Sequence, residues 1–326
     1  MIFSRTPYRI SFFGGGSDYP IYYEKYGGEV ISASIDKYLY IFLRDLPNYY
    51  NFNYRTSYSI IEQEKKLDNL KHPVFRNALK LFKIKKGVEI SYMGEVPASS
   101  GMGSSSACVV GTINAMNFYR KKNLSNKELA KKSIFFEQKI LKENVGSQDQ
   151  VICSYGGFNN IIFKKNHVFE VKKIKNSRFK YNLSKNSLLV FTGKQRHADK
   201  IVKSYIGKLD NKKKKNIDKI LQYLNDAKNC IIKNDIEEFG KLLRKSWIEK
   251  KNLSTEISSN EIDKLINLGI KNDSYGEKLL GAGGGGFVYF IFPNQQCKKK
   301  FKEKIFKKYS HFDVNFTDNG SEVKHL

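Results

Sequence analysis

Residues 88–115 of the 326-residue chain constrain its fold most. Val88-Glu-Ile-Ser-Tyr92 alternates apolar and polar positions, runs on to Val96 and stops at Pro97, as a strand does. Pro97-Ala-Ser-Ser100-Gly101-Met102-Gly103-Ser104-Ser105-Ser106 follows, and the apolar run Ala107–Ala115 after it reads as a buried helix. Glycines in such a loop let the backbone approach a ligand without a Cβ clash, and the unpaired N–H groups at the helix start attract phosphate. Serine hydroxyls there can donate to phosphate oxygens or bind a magnesium ion that bridges phosphates. A glycine-serine turn can also be no more than a helix cap. The loop's length, its three consecutive serines and its flanking elements favour phosphate. It lacks the Gly-Lys-Ser/Thr ending of a Walker A loop and the GxGxxG spacing.

Around this unit the first 60 residues read as strands. Ile10–Phe13 runs into Gly14-Gly15-Gly16, and Glu29–Ile35 and Tyr38–Leu43 flank an expected turn at Asp36-Lys37. Ser125-Asn-Lys-Glu128 is a capping box that opens a helix to about Leu141. Phe158–Phe163 and Val168–Val171 suggest a hairpin. After Leu188–Thr192 helical periodicity takes over. Ile217, Ile220, Leu221, Leu224 and Ile231 share one face, and Phe239, Leu242, Leu243 and Trp247 another. A further helix covers about Asn260–Leu268, and the strands Phe287–Phe292 and Phe312–Phe316 flank the last one. Strands early and helices late, without steady β-α alternation, predict an α+β fold. The length implies about two domains, divided near residue 185 into 1–185 and 186–326.

The four cysteines (Cys108, Cys153, Cys230, Cys297) show no metal-ligand or redox spacing, which fits a reducing compartment. The start MIFSRTPYRISFF has no apolar leader segment. Two uncharged windows, 101–119 and 279–297, are Ser-rich in one case and broken by glycines and a proline in the other. A soluble, cytoplasmic protein without a membrane span is expected. The 58 basic and 32 acidic residues leave a net charge of +26, which concentrates anions near the surface. Lys212–Lys215 and Lys298–Lys300 sit beside apolar helical patterns and read as solvated faces. A basic nucleic-acid-binding module is the alternative of another class, although no RRM, KH or zinc pattern appears. Small phosphorylated molecules are the other anions such a charge gathers, and they are the expected partners.

Pro97–Ala107 resembles the Pro-x-x-x-Gly-Leu-Gly-Ser-Ser-Ala-Ala signature of the GHMP kinases. Thr6-Pro-Tyr-Arg9-Ile-Ser-Phe-Phe-Gly14-Gly15-Gly16-Ser17-Asp18-Tyr19 resembles that family's N-terminal substrate motif, and Leu280–Phe287 its C-terminal glycine motif. The resemblance implies a two-domain fold, ribosomal-S5-domain-2-like then ferredoxin-like. It implies ATP as phosphoryl donor and Mg2+ as cofactor. Phe12–Pro20, followed by Ser34-Ile-Asp-Lys37-Tyr38, resembles the branch that phosphorylates D-glycero-D-manno-heptose 7-phosphate at the anomeric oxygen, toward GDP-activated heptose for surface polysaccharide. Galactokinases carry Gly-Glu-His where this chain has Gly14-Gly15-Gly16, which argues against galactose. Fucokinase-type enzymes have similar motifs, so fucose or another sugar is the alternative acceptor.

The same resemblance assigns residues. Nucleotide contacts fall on Pro97, Ser100, Gly101, Met102, Gly103, Ser104, Ser105 and Ser106. Gly146-Ser147-Gln148-Asp149-Gln150 is similar to the galactokinase segment with the catalytic aspartate, so Asp149 would act on the sugar C1 hydroxyl. Arg9 would lie beside it and steady charge on the transferring group. Glu137 and Ser105 would hold magnesium, with Ser104 as the competing serine. Gly15, Gly16, Ser17 and Asp18 would contact the sugar, and Gly283 and Gly284 would lie near it. Lys37, Lys194 and Arg196, with Gly193 in the same loop, are the candidates for the distal phosphate. None of the five histidines is assigned to a metal or to catalysis.

Overall fold

The structure, a computed structural model, describes residues 1–195, 201–202 and 211–326. The first half runs β1 (Ile2–Phe13), α1 (Pro20–Tyr26), β2 (Gly28–Asp45), β3 (Tyr54–Ser57), β4 (Ile61–Glu64), α2 (Pro73–Leu81) and β5 (Val88–Gly94). It continues through α3 (Ser104–Tyr119), α4 (Asn126–Phe135), α5 (Gln148–Tyr155), β6 (Phe158–Lys164), β7 (Val168–Lys173) and α6 (Ser177–Asn186). The second half holds β8 (Ser187–Phe191), α7 (Asn211–Lys233), α8 (Ile236–Lys251), α9 (Asn260–Ile270) and β9 (Gly276–Leu279). It ends with β10 (Phe287–Ile291), α10 (Gln295–Ile305), β11 (His311–Asp313) and β12 (Glu322–His325).

β1 and β2 run antiparallel along most of their length and form the spine of an eight-stranded sheet. β5 takes the C-terminal half of the far edge of β2, and β6 takes the N-terminal half. The second sheet has the order β11-β8-β10-β9 and is antiparallel throughout. The fold is α+β, as strands first and helices later predict. The expected division near 185 falls where α6 meets β8. The chain then returns: β12 pairs with β1, His325 opposite Ile2, so the last strand covers the outer edge of the first sheet.

The turn expected at Asp36-Lys37 does not reverse the chain, because β2 continues through it. Those two residues carry turn chemistry, but their backbone is engaged from outside. The Asp36 N–H donates to the Asn315 carbonyl at 2.9 Å, and Ile35 bridges to Phe316. The expected irregularity is present as a bulge of β2: Pro7 faces Tyr38 and Arg9 faces Ser34, so Ile35, Asp36 and Lys37 stand opposite Tyr8 alone.

The expected capping box is formed, with Ser125 and Glu128 each bonding the other's backbone N–H. The helix it opens then widens into a π-turn over Phe136–Ile140, which carries Glu137. α3 is buried nearly all round, as its uninterrupted apolar run predicts. α8 buries Phe239, Leu242, Leu243 and Trp247 together. Among the described residues no helix is long and apolar enough to cross a membrane.

An aromatic joint couples the two sheets. Phe12, near the end of β1, lies 5.3 Å from Phe158, 5.7 Å from Phe239 and 5.4 Å from Tyr289, centroid to centroid. Phe239 also meets Phe13 and Phe179 edge-on. Phe239→Ala should lower the unfolding free energy by about 3–5 kcal/mol, the range for an aromatic removed from a packed core. Urea unfolding measures it; a loss below about 1 kcal/mol would mean that the joint does not hold the two halves together.

Candidate active site

The site is assembled where β1 ends, α3 and α5 begin, and the 280–286 loop crosses between β9 and β10. Gly103, in the left-handed conformation at φ 76°, precedes the first turn of α3. Two glycines decide how the loops meet. A Cβ on Gly101 would lie 2.5 Å from the Leu280 carbonyl oxygen, and one on Gly281 would lie 2.5 Å from the Gly101 Cα. Only residues without side chains let the backbones touch. The Phe287 N–H also donates to the Ser100 carbonyl at 3.1 Å. The C-terminal glycine motif therefore braces the phosphate loop directly.

Arg9 and Asp149, 140 positions apart, form a two-pronged ion pair. Nε donates to Oδ1 at 2.6 Å and Nη2 to Oδ2 at 2.5 Å. Nη1 donates to the Gly101 carbonyl at 2.6 Å, and the Arg9 N–H reaches the Met102 carbonyl at 3.2 Å. The arginine side chain is 5% exposed and that of Asp149 20%, so the carboxylate keeps an open side toward the cleft. That cleft, of about 520 Å³, is lined by Gly101, Gly103, Ser104, Ser105, Ser106, Gly15, Gly16, Asp18 and Gly283 besides the pair itself.

Asp18 is 1% exposed. It accepts the Gly16 N–H on Oδ1 at 3.0 Å, and its carbonyl accepts the Ser147 N–H at 2.9 Å, which ties it to the loop before Asp149. Burial, then the neighbouring Asp149 charge, push its pKa up to about 6.

Other expected residues lie elsewhere. Ser17 is fully buried, and its hydroxyl bonds Gly14 and Glu29 backbone, so it shapes the turn and does not face the cleft. Lys37 points from β2 to Glu95, 3.4 Å away, and over the Phe312 ring. Lys194 pairs with Glu261 at 3.3 Å. Gly193 and Gly284 are not in the cleft wall, Pro97 is solvent-exposed, and Met102 and Ser100 are buried behind the loop. Arg196 lies outside the described residues.

Of the two residues expected at magnesium, Glu137 is hydrogen-bonded by the serine next to Ser105. Ser106 Oγ donates to the Glu137 carboxylate, 2.9 and 3.1 Å from its two oxygens, and Gln150 Nε2 donates to it as well. Consecutive helical residues are about 100° apart around the axis. Ser105 is therefore exposed on the cleft side while Ser106 points inward. Glu137 is fully buried, and burial raises its pKa to about 8.

Two cleft lysines were not foreseen. Lys250, at the end of α8, donates to the Gly281 carbonyl, and Lys278, on β9, donates to the carbonyls of Ser11 at 2.9 Å and Phe12 at 2.5 Å. They are 8% and 3% exposed. Burial, then the nearby Arg9 charge, bring Lys250 down to about 8; burial, then Lys250, bring Lys278 well below its ordinary value. Lys250 reads as one more cation among 58. Lys278 left a faint signal: Glu277 and Lys278 interrupt an otherwise apolar strand just before the glycine motif.

The Asp18 carboxylate is the charged, double-acceptor form above pH about 6 and is lost as pH falls through that value. For whichever acceptor this cleft takes, kcat/KM should fall about tenfold per unit below that bend. Asp18→Asn should flatten the acidic limb. A bend that persists unchanged in the variant would assign the titration to another group.

The family model for the N-terminal domain of GHMP kinases matches residues 70–157, and the model for the C-terminal domain matches 221–311. The chain is 31% identical over 333 residues to the D-glycero-alpha-D-manno-heptose 7-phosphate kinase of Campylobacter jejuni subsp. jejuni serotype O:2, covering 97% of each. It is 30% identical over 221 residues to the mevalonate kinase of Methanocaldococcus jannaschii, covering 67% of this chain and 66% of that one. The crystal structure of a D-glycero-D-manno-heptose 1-phosphate kinase from Bacteriodes thetaiotaomicron shares the fold. Its TM-score is 0.80 at 22% identity, over 100% of this chain and 99% of the other. Both domain models, near-complete alignment to a relative and the three glycine segments meeting in one cleft agree: the chain belongs to the GHMP kinase family.

Proposed function

We propose that this kinase transfers the terminal phosphoryl group of ATP to the anomeric hydroxyl of D-glycero-D-manno-heptose 7-phosphate, giving the 1,7-bisphosphate. We place the reaction in the cytoplasm, as a step toward GDP-activated heptose. The observation that carries the reading is the Arg9–Asp149 pair set against the Gly101–Ser106 loop within one cleft. The choice of acceptor is supported by the likeness to the Campylobacter enzyme over nearly the whole chain. It is also supported by the bare Gly15 in the cleft wall, where a Cβ would meet nothing within 4 Å.

Phosphoryl transfer asks the protein for positioning and charge more than for covalent chemistry. The start of α3 and the loop before it offer amide N–H groups and the hydroxyls of Ser104 and Ser105 to the phosphates. Asp149 orients the C1 hydroxyl and accepts its proton as attack begins. Arg9 holds that carboxylate at two points and adds positive charge beside the transferring group. Asp18 accepts two sugar hydroxyls at once.

Magnesium fits the donor chemistry, which is oxygen only. The Gln148 and Gln150 Oε1 atoms are buried without partners, and Glu137 is a buried carboxyl that a cation would compensate. Among the described residues no three His, Cys, Asp or Glu side chains cluster, which suits an ion that arrives with the nucleotide and keeps most of its waters. Ser105, with Glu137 behind Ser106, would hold it. Such an ion neutralises charge between the phosphates.

Two measurements test the reading. With Mg·ATP and a panel of sugars and sugar phosphates, ADP should appear fastest with the heptose 7-phosphate, with the new phosphate at C1. Faster turnover of fucose would overturn the acceptor. The relatives' names place the phosphate differently, 7-phosphate in one and 1-phosphate in the other, so product analysis matters. Asp149→Asn should cut turnover by about 10²–10⁴ while nucleotide affinity barely moves, and the melting temperature should fall because Arg9 loses its counter-charge. Near-normal turnover would remove Asp149 from its role.

A further inference from the structure

The two buried lysines stand out because, among the described residues, neither forms an ion pair with a carboxylate. Each ammonium carries three N–H groups and no acceptor. Lys250 uses one, on the Gly281 carbonyl, and Lys278 uses two, on the Ser11 and Phe12 carbonyls. Asp149 and Asp18 lie near enough to favour the charged Lys250, but their own hydrogen bonds go to Arg9 and to the Gly16 amide. A buried cation without a counter-charge is costly unless something else supplies one. Both lysines line the cleft. Their three remaining N–H groups match the three outer oxygens of a phosphoryl group.

We propose that Lys250 and Lys278 together form a seat for a phosphoryl group inside the cleft, contributed by the second half of the chain and facing the phosphate loop of the first. The seat deepens the sugar-phosphate kinase reading and rests on it only for the source of the phosphoryl group. That source is either the group being transferred or the phosphate already on the acceptor. Since the Gly281 carbonyl that Lys250 grips belongs to the loop braced on Gly101, an occupied seat also ties the two halves across the site.

The test is Lys250→Met and Lys250→Gln in the full chain, with melting temperature as the folding control. Lys250 is chosen because Lys278 is bonded to β1 backbone, and its removal threatens the fold. Calorimetric titration with inorganic phosphate should show at least about tenfold weaker binding in both variants. If the seat holds the transferring group, kcat should fall about a hundredfold for phosphorylated and unphosphorylated sugars alike. If it holds the acceptor's phosphate, KM should rise for the phosphorylated sugar alone. Folded variants that bind phosphate as the parent does would overturn the seat. So would recovery in Lys250→Gln, since a neutral donor that suffices means the lysine only straps Gly281. Should no sugar be phosphorylated at all, the acceptor reading fails, and the phosphate titration still decides the seat.

Discussion

Arg9 bonds three parts of the active site at once: Asp149 through two nitrogens, Gly101 through the third, and Met102 through its backbone N–H. A flexible point charge could not do this, because a planar guanidinium fixes the angles between its donors. The Asp149 carboxylate and the Gly101–Ser106 loop are therefore held in one geometry by one rigid group. Removing either partner of so buried a pair would leave a charge stranded, at a cost of about 3–5 kcal/mol. Arg9 itself is placed by β1, whose register slip next to Pro7 lies beside it.

The rest of the architecture serves that contact. The aromatic joint around Phe12 fixes the second sheet against the end of β1. Gly281 then meets Gly101 backbone to backbone. The second half of the chain thus does more than cover the cleft: it braces the phosphate loop and inserts two cations beside it. Negative charge is balanced in the same space, with the Asp149 carboxylate close enough to disfavour charging Asp18.

Much of this was readable from residue order, and the failures have local causes. The glycine-serine loop, Asp149 and Asp18 line one cleft, and each was legible because it sits in a motif of particular residues at particular spacings. Helix periodicity placed Phe239 and Trp247 on one buried face for the same kind of reason. At Asp36-Lys37 the chain bulges and runs on without turning back, because groups nearly 280 residues away, Asn315 and Phe316, hold the backbone of Asp36 and Ile35. Ser105 and Ser106 could not be told apart before the phase of α3 was known. Ser17 looked like a ligand residue only because a turn-forming hydroxyl and a binding hydroxyl are the same group. Lys250 and Lys278 were hidden by abundance: in a chain with 58 cations, burial alone distinguishes the ones that matter.

The central claim is that one cleft brings the donor's terminal phosphate and the acceptor hydroxyl together at Asp149. A crystal structure with a non-hydrolysable ATP analogue and heptose 7-phosphate tests it most directly. The account predicts backbone amides of residues 101–106 on the phosphates and the C1 oxygen within hydrogen-bonding distance of Asp149, with Arg9 still gripping that carboxylate. A nucleotide bound away from the loop, or a sugar whose C1 oxygen faces away from Asp149, would contradict it.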